Sequence, residues 1–189
     1  MRSLRSFLAV LLLGASAPTV LAAEGLRVEA RRADEGVQVR AEAQLEAPVS
    51  TVWEVLTDYE RLPAFIPGIT RSVVRERRGN QVILEQSGEA RFLVFSFPVE
   101  VTYEVTETPE TSIACRALSG NLKRMTGRYD IQPAGGGGGA VRLRYSGFVD
   151  PDFNVPDILE AAALRSMVEK QFTALVAEIE RRAARPAAK

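Results

Sequence analysis

The feature that most constrains this sequence is a long amphipathic helix that follows a series of short strands. Its apolar stripe recurs at helical spacing and consists of Leu164, Val168, Gln171, Leu175 and Ile179, with Ala163, Met167 and Phe172 beside it. About 25 residues in this pattern would form a helix of roughly 38 Å at 1.5 Å per residue. A helix of that length crosses a whole small domain, and the face of a sheet is the surface that can bury its stripe.

Seven strands and two short helices are predicted ahead of this helix. Apolar and polar residues alternate over residues 37–45, which is typical of a strand with one wet face. Pro48 then begins a helix with an apolar stripe, and residues 59–65 form a second short helix or turn. Pro98 places its strand at an edge or at a bulge, because proline donates no ladder hydrogen bond. The six further strands are predicted over residues 69–77, 81–90, 91–106, 111–118, 122–132 and 141–149.

The order of these elements predicts an α+β fold. It consists of a curved antiparallel sheet of about seven strands, two short helices after the first strand, and a long C-terminal helix across the concave face. The glycines at 135–139 form a hairpin tip in this scheme, because no Lys-Ser/Thr pair and no helix follow them as in a phosphate-binding loop. One domain is expected over residues 35–183, after a polar lead at 23–34 and before a flexible tail at 184–189.

The first 22 residues are predicted to be a cleaved Sec signal peptide. Arg2 and Arg5 form a basic start, residues 7–13 form an apolar run, and Val20-Leu21-Ala22 fits the small-x-small rule for cleavage after Ala22. The apolar run is too short to span a bilayer as a permanent anchor. The sequence therefore predicts a periplasmic or secreted protein.

Composition argues against several classes of function. Lys+Arg and Asp+Glu both number 24, so the chain has no bulk positive field, and nucleic-acid binding is not expected. The sequence has no histidine, which removes His-based triads and the usual zinc sites, and no metal or cofactor is predicted. Cys115 is the only cysteine, so an intramolecular disulfide is excluded and a buried, inert thiol is expected.

The segment after the first strand resembles a known family. It contains Ala-Pro-Val from Ala47 and then Val-Trp-Glu-Val-Leu-Thr-Asp-Tyr-Glu-Arg-Leu-Pro-Ala-Phe-Ile-Pro-Gly from Val52 to Gly68. This segment resembles the opening of START-like (SRPBCC, helix-grip) proteins, in the branch called polyketide cyclase/dehydrase or coenzyme Q-binding START-like. The resemblance continues through the strand order, and it implies a cavity for an apolar ligand between the last helix and the sheet. The acid/base histidines that some catalytic relatives use are absent here.

The predicted ligand-binding residues come from the sheet, the last helix and the turn after the short helices. Small residues at Ala161, Ala162 and Ala163 favour a cavity, because they leave volume where the helix crosses the sheet. Each apolar residue of the sheet also fits an ordinary packed core, and the tyrosine hydroxyls either donate to a ligand oxygen or lie at the rim. The candidates are Phe65, Ile66, Phe95, Phe97, Val101, Tyr103, Met125, Tyr129, Leu143, Tyr145, Leu159, Ala162, Ala163 and Met167.

Two apolar turns flanked by prolines have several interpretations. Phe65-Ile66 and Phe153 could gate the cavity, make a transient membrane contact, or plug an end of the sheet. We favour the gate for Phe65-Ile66 and the plug for Phe153. Asp58, Tyr59 and Glu60 are the candidates for catalysis, although Asp58 near a helix end also fits a capping or turn role.

Three functions are compatible with the sequence. The first is an exported binding protein for a hydrophobic small molecule, such as a lipid, quinone or isoprenoid. The second is a cyclase/dehydrase-type enzyme that uses Tyr and Asp/Glu as acid and base. The third is a partner-binding module without a ligand. Binding is preferred over catalysis, because the predicted inward positions are nearly all apolar or tyrosine.

Overall fold

The structure is a computed structural model that describes residues 25–33, 36–92, 95–134, 139–151 and 157–185. The predicted signal peptide, most of the glycine run and Phe153 lie outside these residues. The strands are β1 (Arg27–Ala33), β2 (Gly36–Glu46), β3 (Ile69–Arg78), β4 (Gln81–Phe92), β5 (Phe95–Thr108), β6 (Ser112–Gly120), β7 (Leu122–Pro133) and β8 (Ala140–Pro151). The helices are α1 (Val49–Thr57), the short 3₁₀ helix η1 (Tyr59–Ala64) and α2 (Asp157–Ala183).

All eight strands form one antiparallel sheet in the order β1-β2-β8-β7-β6-β5-β4-β3. The α1–η1 segment connects β2 with β3, which lies at the opposite edge. This architecture confirms the predicted α+β helix-grip fold. The sheet has eight strands rather than about seven, because the stretch interpreted as a polar lead contains the edge strand β1. Only Val28 of that strand is buried, so its sequence carries almost no apolar alternation.

The last helix packs across the sheet as its apolar stripe predicts. α2 has 27 residues and therefore measures about 40 Å at 1.5 Å per residue. It contacts β1 and β2 at one edge and β4 near the other. In its C-terminal half, Phe172, Leu175, Val176 and Ile179 are buried in the core. The interior of the domain thus lies between α2 and the inward face of the sheet.

Pro98 lies in a part of β5 that has no partner strand on one side. The pairing of β5 with β6 begins at Val101, opposite Gly120, so Pro98 precedes it. The Pro98 carbonyl oxygen accepts a hydrogen bond from Asn121 Nδ2 at 2.7 Å on that unpaired side. The prediction of an edge position for Pro98 is therefore confirmed, and no ladder hydrogen bond is lost.

Candidate functional site

A cavity of about 320 Å³ lies between α2 and the sheet and borders the hydrophobic core, since Leu84, Val105 and Phe172 belong to both. The volume falls at the lower end of the range of small-molecule sites, which is about 300–1,000 Å³. Its wall is mostly apolar and comes from β4–β8, η1, α2 and the ends of α1 and β2. An apolar cavity of this size is suited to part or all of a hydrophobic small molecule.

Eight of the fourteen predicted ligand-binding residues line this cavity. They lie on the turn after η1, on β5, β7 and β8, and on α2, and they are Ile66, Phe97, Tyr103, Met125, Tyr129, Tyr145, Ala163 and Met167. The alternation in the strands and the helical stripe therefore identified part of the wall.

Four predicted residues lie elsewhere. Ala162 is exposed, because the face of α2 toward the cavity runs through Ala163 and Met167, and Ala162 lies one position out of that phase. Phe65 packs outside the cavity with its ring centroid 5.6 Å from the Arg182 guanidinium, so of the two residues predicted to form a gate only Ile66 lines the cavity. Val101 and Leu143 are buried on the inward side of the sheet but do not contribute to the cavity wall. The side chains of Phe95 and Leu159 lie outside the described part of the chain.

One opening of the cavity lies where β4 extends past the start of β3. Glu89 and Arg91 line this opening and form an ion pair with each other, and the Arg91 side chain is 76% exposed. Gln171 on α2 donates a hydrogen bond from Nε2 to the Pro67 carbonyl oxygen at 3.2 Å, which ties the turn after η1 to the helix. Gly88 is required here, since a Cβ at this position would lie 1.9 Å from the Gly68 carbonyl oxygen.

The inner part of the cavity is lined by three tyrosines and a thiol. Tyr103, Cys115, Tyr129 and Tyr145 lie on β5, β6, β7 and β8, respectively. Burial raises the pKa of all three phenols above the usual range of tyrosine, and it raises the pKa of Cys115 to about 11. All four groups are therefore neutral at physiological pH.

The motif residues Asp58 and Tyr59 anchor the α1–η1 segment. Arg182 of α2 donates a hydrogen bond to Asp58 Oδ2 at 2.6 Å. The Tyr59 hydroxyl donates to Glu107 Oε1 at 2.8 Å, and Arg77 donates to Glu107 Oε2 at 2.8 Å. Burial and the neighbouring Glu107 raise the pKa of Tyr59, which makes it a poor acid. These contacts give both residues a structural role. Asp58 is also the C-cap residue of α1, where its backbone N–H donates to the Val55 carbonyl oxygen, as its position near the helix end predicted.

Sequence reasoning missed many residues of the wall. Val37 and Val149 were placed in strands but not assigned to the cavity, although strand alternation puts them on its inward face. Gln86, Ser87 and Gly88 could not be found from periodicity, because they become part of the wall where the sheet edge turns toward Gly68. Glu160 and Gln171 lie on the helix face that also carries Ala163 and Met167, so helical phase could have found them.

Comparison with known proteins assigns the chain to a family. The family model described as polyketide cyclase/dehydrase and lipid transport matches residues 36–184. The structure is similar to a STAR-related lipid transfer protein fragment from Xanthomonas axonopodis, with a TM-score of 0.65 and 17% identity over 83% of this chain and 94% of that one. It is also similar to the Zhui aromatase/cyclase from Streptomyces sp. R1128, with a TM-score of 0.63 and 16% identity over 77% and 92% of the two chains.

A START superfamily protein from Mycobacterium smegmatis gives a TM-score of 0.60 with 18% identity, over 77% of this chain and 96% of that one. Together these similarities establish a START-like fold. Comparison with curated protein sequences finds no match. Within the described residues, no helix is long and apolar enough to cross a membrane, and no group of three or more His, Cys, Asp or Glu side chains is placed to bind a metal ion.

Proposed function

Because the chain belongs to the polyketide cyclase/dehydrase and lipid transport family, we propose that it is an exported binding protein that holds a hydrophobic small molecule between α2 and the sheet. The observation that carries the proposal is the apolar cavity of about 320 Å³. An apolar ligand that buries about 300 Å² of its surface would gain on the order of 7 kcal/mol before the entropic terms of association. Before those terms are subtracted, this gain corresponds to a dissociation constant on the order of 10 μM.

Binding is favoured over catalysis by the chemistry of the wall. The inner end carries phenols with raised pKa values and a thiol with a pKa of about 11, none of which is a good general acid or base at neutral pH. The carboxylate that Tyr59 contacts, Glu107, is engaged by Arg77, and the Tyr59 hydroxyl already donates to it. The wall carboxylates Glu89 and Glu160 pair with Arg91 and Arg32. A binding role requires no ionised acid or base, so it is compatible with these neutral groups.

Export is part of the proposal and is supported by the sequence of residues 1–22, with its basic start, apolar run and small-x-small cleavage site after Ala22. An extracytoplasmic protein of this fold would hold an apolar molecule away from water between membranes or partners.

The experiment that tests the proposal is native mass spectrometry of the protein from its own host, followed by solvent extraction of the bound material. The intact mass also reports whether residues 1–22 have been removed. A discrete apolar ligand on a chain that begins at residue 23 is the expected result. An apo protein that stays apo after incubation with a membrane extract would refute the binding role, and a full-length chain in the cytoplasmic fraction would refute export.

Two neighbouring alanines provide a matched pair of variants. Ala163→Trp adds about nine non-hydrogen atoms inside a cavity with room for roughly ten, taking about 30 Å³ for each water-sized group. Ala162→Trp makes the same change on the exposed face of α2. We expect Ala163→Trp to lose the ligand and Ala162→Trp to retain it. Equal retention by both variants would place the ligand outside this cavity.

A further inference from the structure

A second pocket lies at the edge of the sheet and is separate from the apolar cavity. Its wall comes from β1, β2 and α2 and consists of Val28, Glu29, Ala30, Arg31, Gln38, Arg40 and Arg165. Among the described residues, none lines both this pocket and the cavity. We call it the arginine pocket, because three of these wall residues are arginines.

The three arginines come from three different elements. β1 is the edge strand of the sheet, and its Val28 side chain is buried, so strand alternation puts Arg31 on the opposite, outer face. Arg40 follows the buried Val39 in β2 and shares that outer face. Arg165 reaches the same edge from α2, where its Nε donates a hydrogen bond to the Val28 carbonyl oxygen at 3.1 Å. Protection of an exposed strand edge would account for Arg31 and Arg165 but not for Arg40, which lies on the second strand.

Neutral acceptors hold two of the three guanidinium groups in place. Arg31 donates from Nε and Nη2 to Gln38 Oε1, at 3.2 and 3.0 Å. Arg165 donates to the backbone carbonyl of Val28, and its Nη1 lies 3.4 Å from Glu169 Oε2. A neutral oxygen orients a guanidinium without cancelling its charge. Because a guanidinium has five N–H donors, both side chains also keep donors for a ligand.

The wall of the arginine pocket has more positive than negative charge. Its three guanidinium groups share the wall with one carboxylate, that of Glu29, which is opposite Arg40 in the register of β1 and β2. Neither of these two residues forms an ion pair or a hydrogen bond through its side chain within the described part of the chain. Arg31 has only the neutral Gln38 as a partner there, so Arg31 and Arg40 both lack a carboxylate. The wall carries an excess of two positive charges, although Lys+Arg and Asp+Glu are equal in the whole chain.

The chemistry of the arginine pocket favours a doubly charged oxyanion. Guanidinium groups bind carboxylate and phosphate oxygens through pairs of parallel N–H bonds. A carboxylate has two oxygens and one charge, which a single arginine can satisfy. A phosphate monoester has three terminal oxygens and a charge of about −1.5 to −2 near pH 7. Three guanidinium groups with an excess of two positive charges match the phosphate monoester.

We propose that the arginine pocket binds the phosphate group of a phosphate monoester, with Arg40 as the main contact and Arg31 and Arg165 beside it. The site is independent of the proposed ligand of the apolar cavity. Arg165 lies two positions after Ala163, which is about 200° around α2 from the residue that lines the cavity. The same phosphate chemistry occurs in small soluble monoesters and in a lipid head group, and the experiments below distinguish these two sources.

The first test titrates ¹⁵N-labelled protein with glycerol 3-phosphate at constant ionic strength. We expect saturable NMR shifts confined to β1, β2 and the neighbourhood of Arg165. Arg40→Gln should weaken the affinity about tenfold or more, because it removes a hydrogen bond between two charged groups. Arg128→Gln is the matched control: Arg40, Ser146 and Arg128 form one row across β2, β8 and β7, which puts Arg128 about 10 Å away on the same face. That distance exceeds the Debye length of about 8 Å at 0.15 M salt, so its effect should stay below about twofold.

The charge of the ligand gives a second measurement. The second pKa of a phosphate monoester is about 6, so binding of the dianion predicts an affinity about fourfold weaker at pH 5.5 than at pH 7.5. The chain has no histidine, whose titration would otherwise fall in this range. Sulfate, which stays a dianion over the same range, should keep its affinity. A phosphate affinity that does not change with pH, or a parallel change for sulfate, would overturn the assignment to a dianion.

Sedimentation with phosphatidylcholine vesicles that contain phosphatidic acid, a lipid with a phosphate monoester head group, identifies the source. Retention that Arg40→Gln abolishes and Arg128→Gln preserves would assign the site to the lipid head group. Binding of glycerol 3-phosphate without retention by these vesicles would assign it to a soluble monoester. The proposal is overturned if the protein binds neither, if the NMR shifts do not saturate, or if Arg40→Gln and Arg128→Gln weaken binding equally. The last result would show only a general attraction to the outer face of the sheet.

Discussion

The hydrogen bond between Tyr59 and Glu107 allows a quantitative prediction about what fixes η1 to the sheet. The Tyr59 hydroxyl lies 2.8 Å from Glu107 Oε1, and the Glu107 residue is only 8% exposed. Tyr59→Phe keeps the ring and removes this bond, which leaves the carboxylate with Arg77 at 2.8 Å. A hydrogen bond to a charged group contributes about 1.5–3 kcal/mol, so we expect the free energy of unfolding to fall by about 2 kcal/mol. The melting temperature should fall by about 4–8 °C.

Urea denaturation followed by the fluorescence of Trp53, the single tryptophan, measures this change. Tyr103→Phe is the matched control, because its hydroxyl has no hydrogen bond within the described residues, and it should shift stability by less than about 0.5 kcal/mol. A double-mutant cycle with Glu107→Ala, which removes the acceptor, isolates the pairwise energy. If Tyr59→Phe is no less stable than Tyr103→Phe, the reasoning that Glu107 holds η1 in place is wrong.

Two further predictions concern stability. Gly88→Ala should lower the free energy of unfolding by about 2 kcal/mol or more, because the new Cβ would lie 1.9 Å from a backbone oxygen. In Gly127→Ala the nearest atom to the new Cβ is a thiol sulfur at 3.0 Å, so thermal unfolding should show a smaller loss of stability for this variant. Hydrogen bonds from Arg181 and Arg182 lower the pKa of Glu178 from 4.5 to about 2, so its stabilisation is complete above about pH 5 and is lost as the pH falls toward 2. In urea denaturation, the free energy of unfolding of the wild type should therefore fall by about 1–2 kcal/mol more than that of Glu178→Gln between pH 7 and pH 3. An equal fall in both proteins would contradict this.

The fold could be predicted almost completely, because nearly every element has its own local signal. The seven strands that were predicted all exist, since each combines alternating apolar residues with turn residues at its ends. β4 ends at Phe92, two residues later than predicted. β1 was missed for a physical reason: an edge strand buries little, and Val28 alone could not produce a period.

The site could be predicted only as far as periodicity reaches. On α2 the apolar stripe correctly predicted that Ala163 and Met167 face the sheet. Three consecutive alanines do not indicate which of them faces inward, and Ala162 is exposed to solvent. In the turn after η1 no period exists, so Phe65 and Ile66 could not be distinguished, although only Ile66 lines the cavity. Wall residues such as Gln86 and Ser87 depend on how β4 passes the start of β3, which is a tertiary property.

The same local chemistry explains why the interior is open at one end and packed at the other. Protein interiors are close-packed unless something prevents it. Gly127 and Gly147 face each other on the inward side of β7 and β8, and the Tyr145 ring lies flat against both, with its hydroxyl 2.5 Å from where a Cβ at Gly147 would stand. Because the ring takes the space of two missing side chains, it does not rise toward α2. Opposite it, the helix presents Ala163 rather than a large residue. An alanine at position 147 would lift the ring into the cavity and leave less room for any ligand.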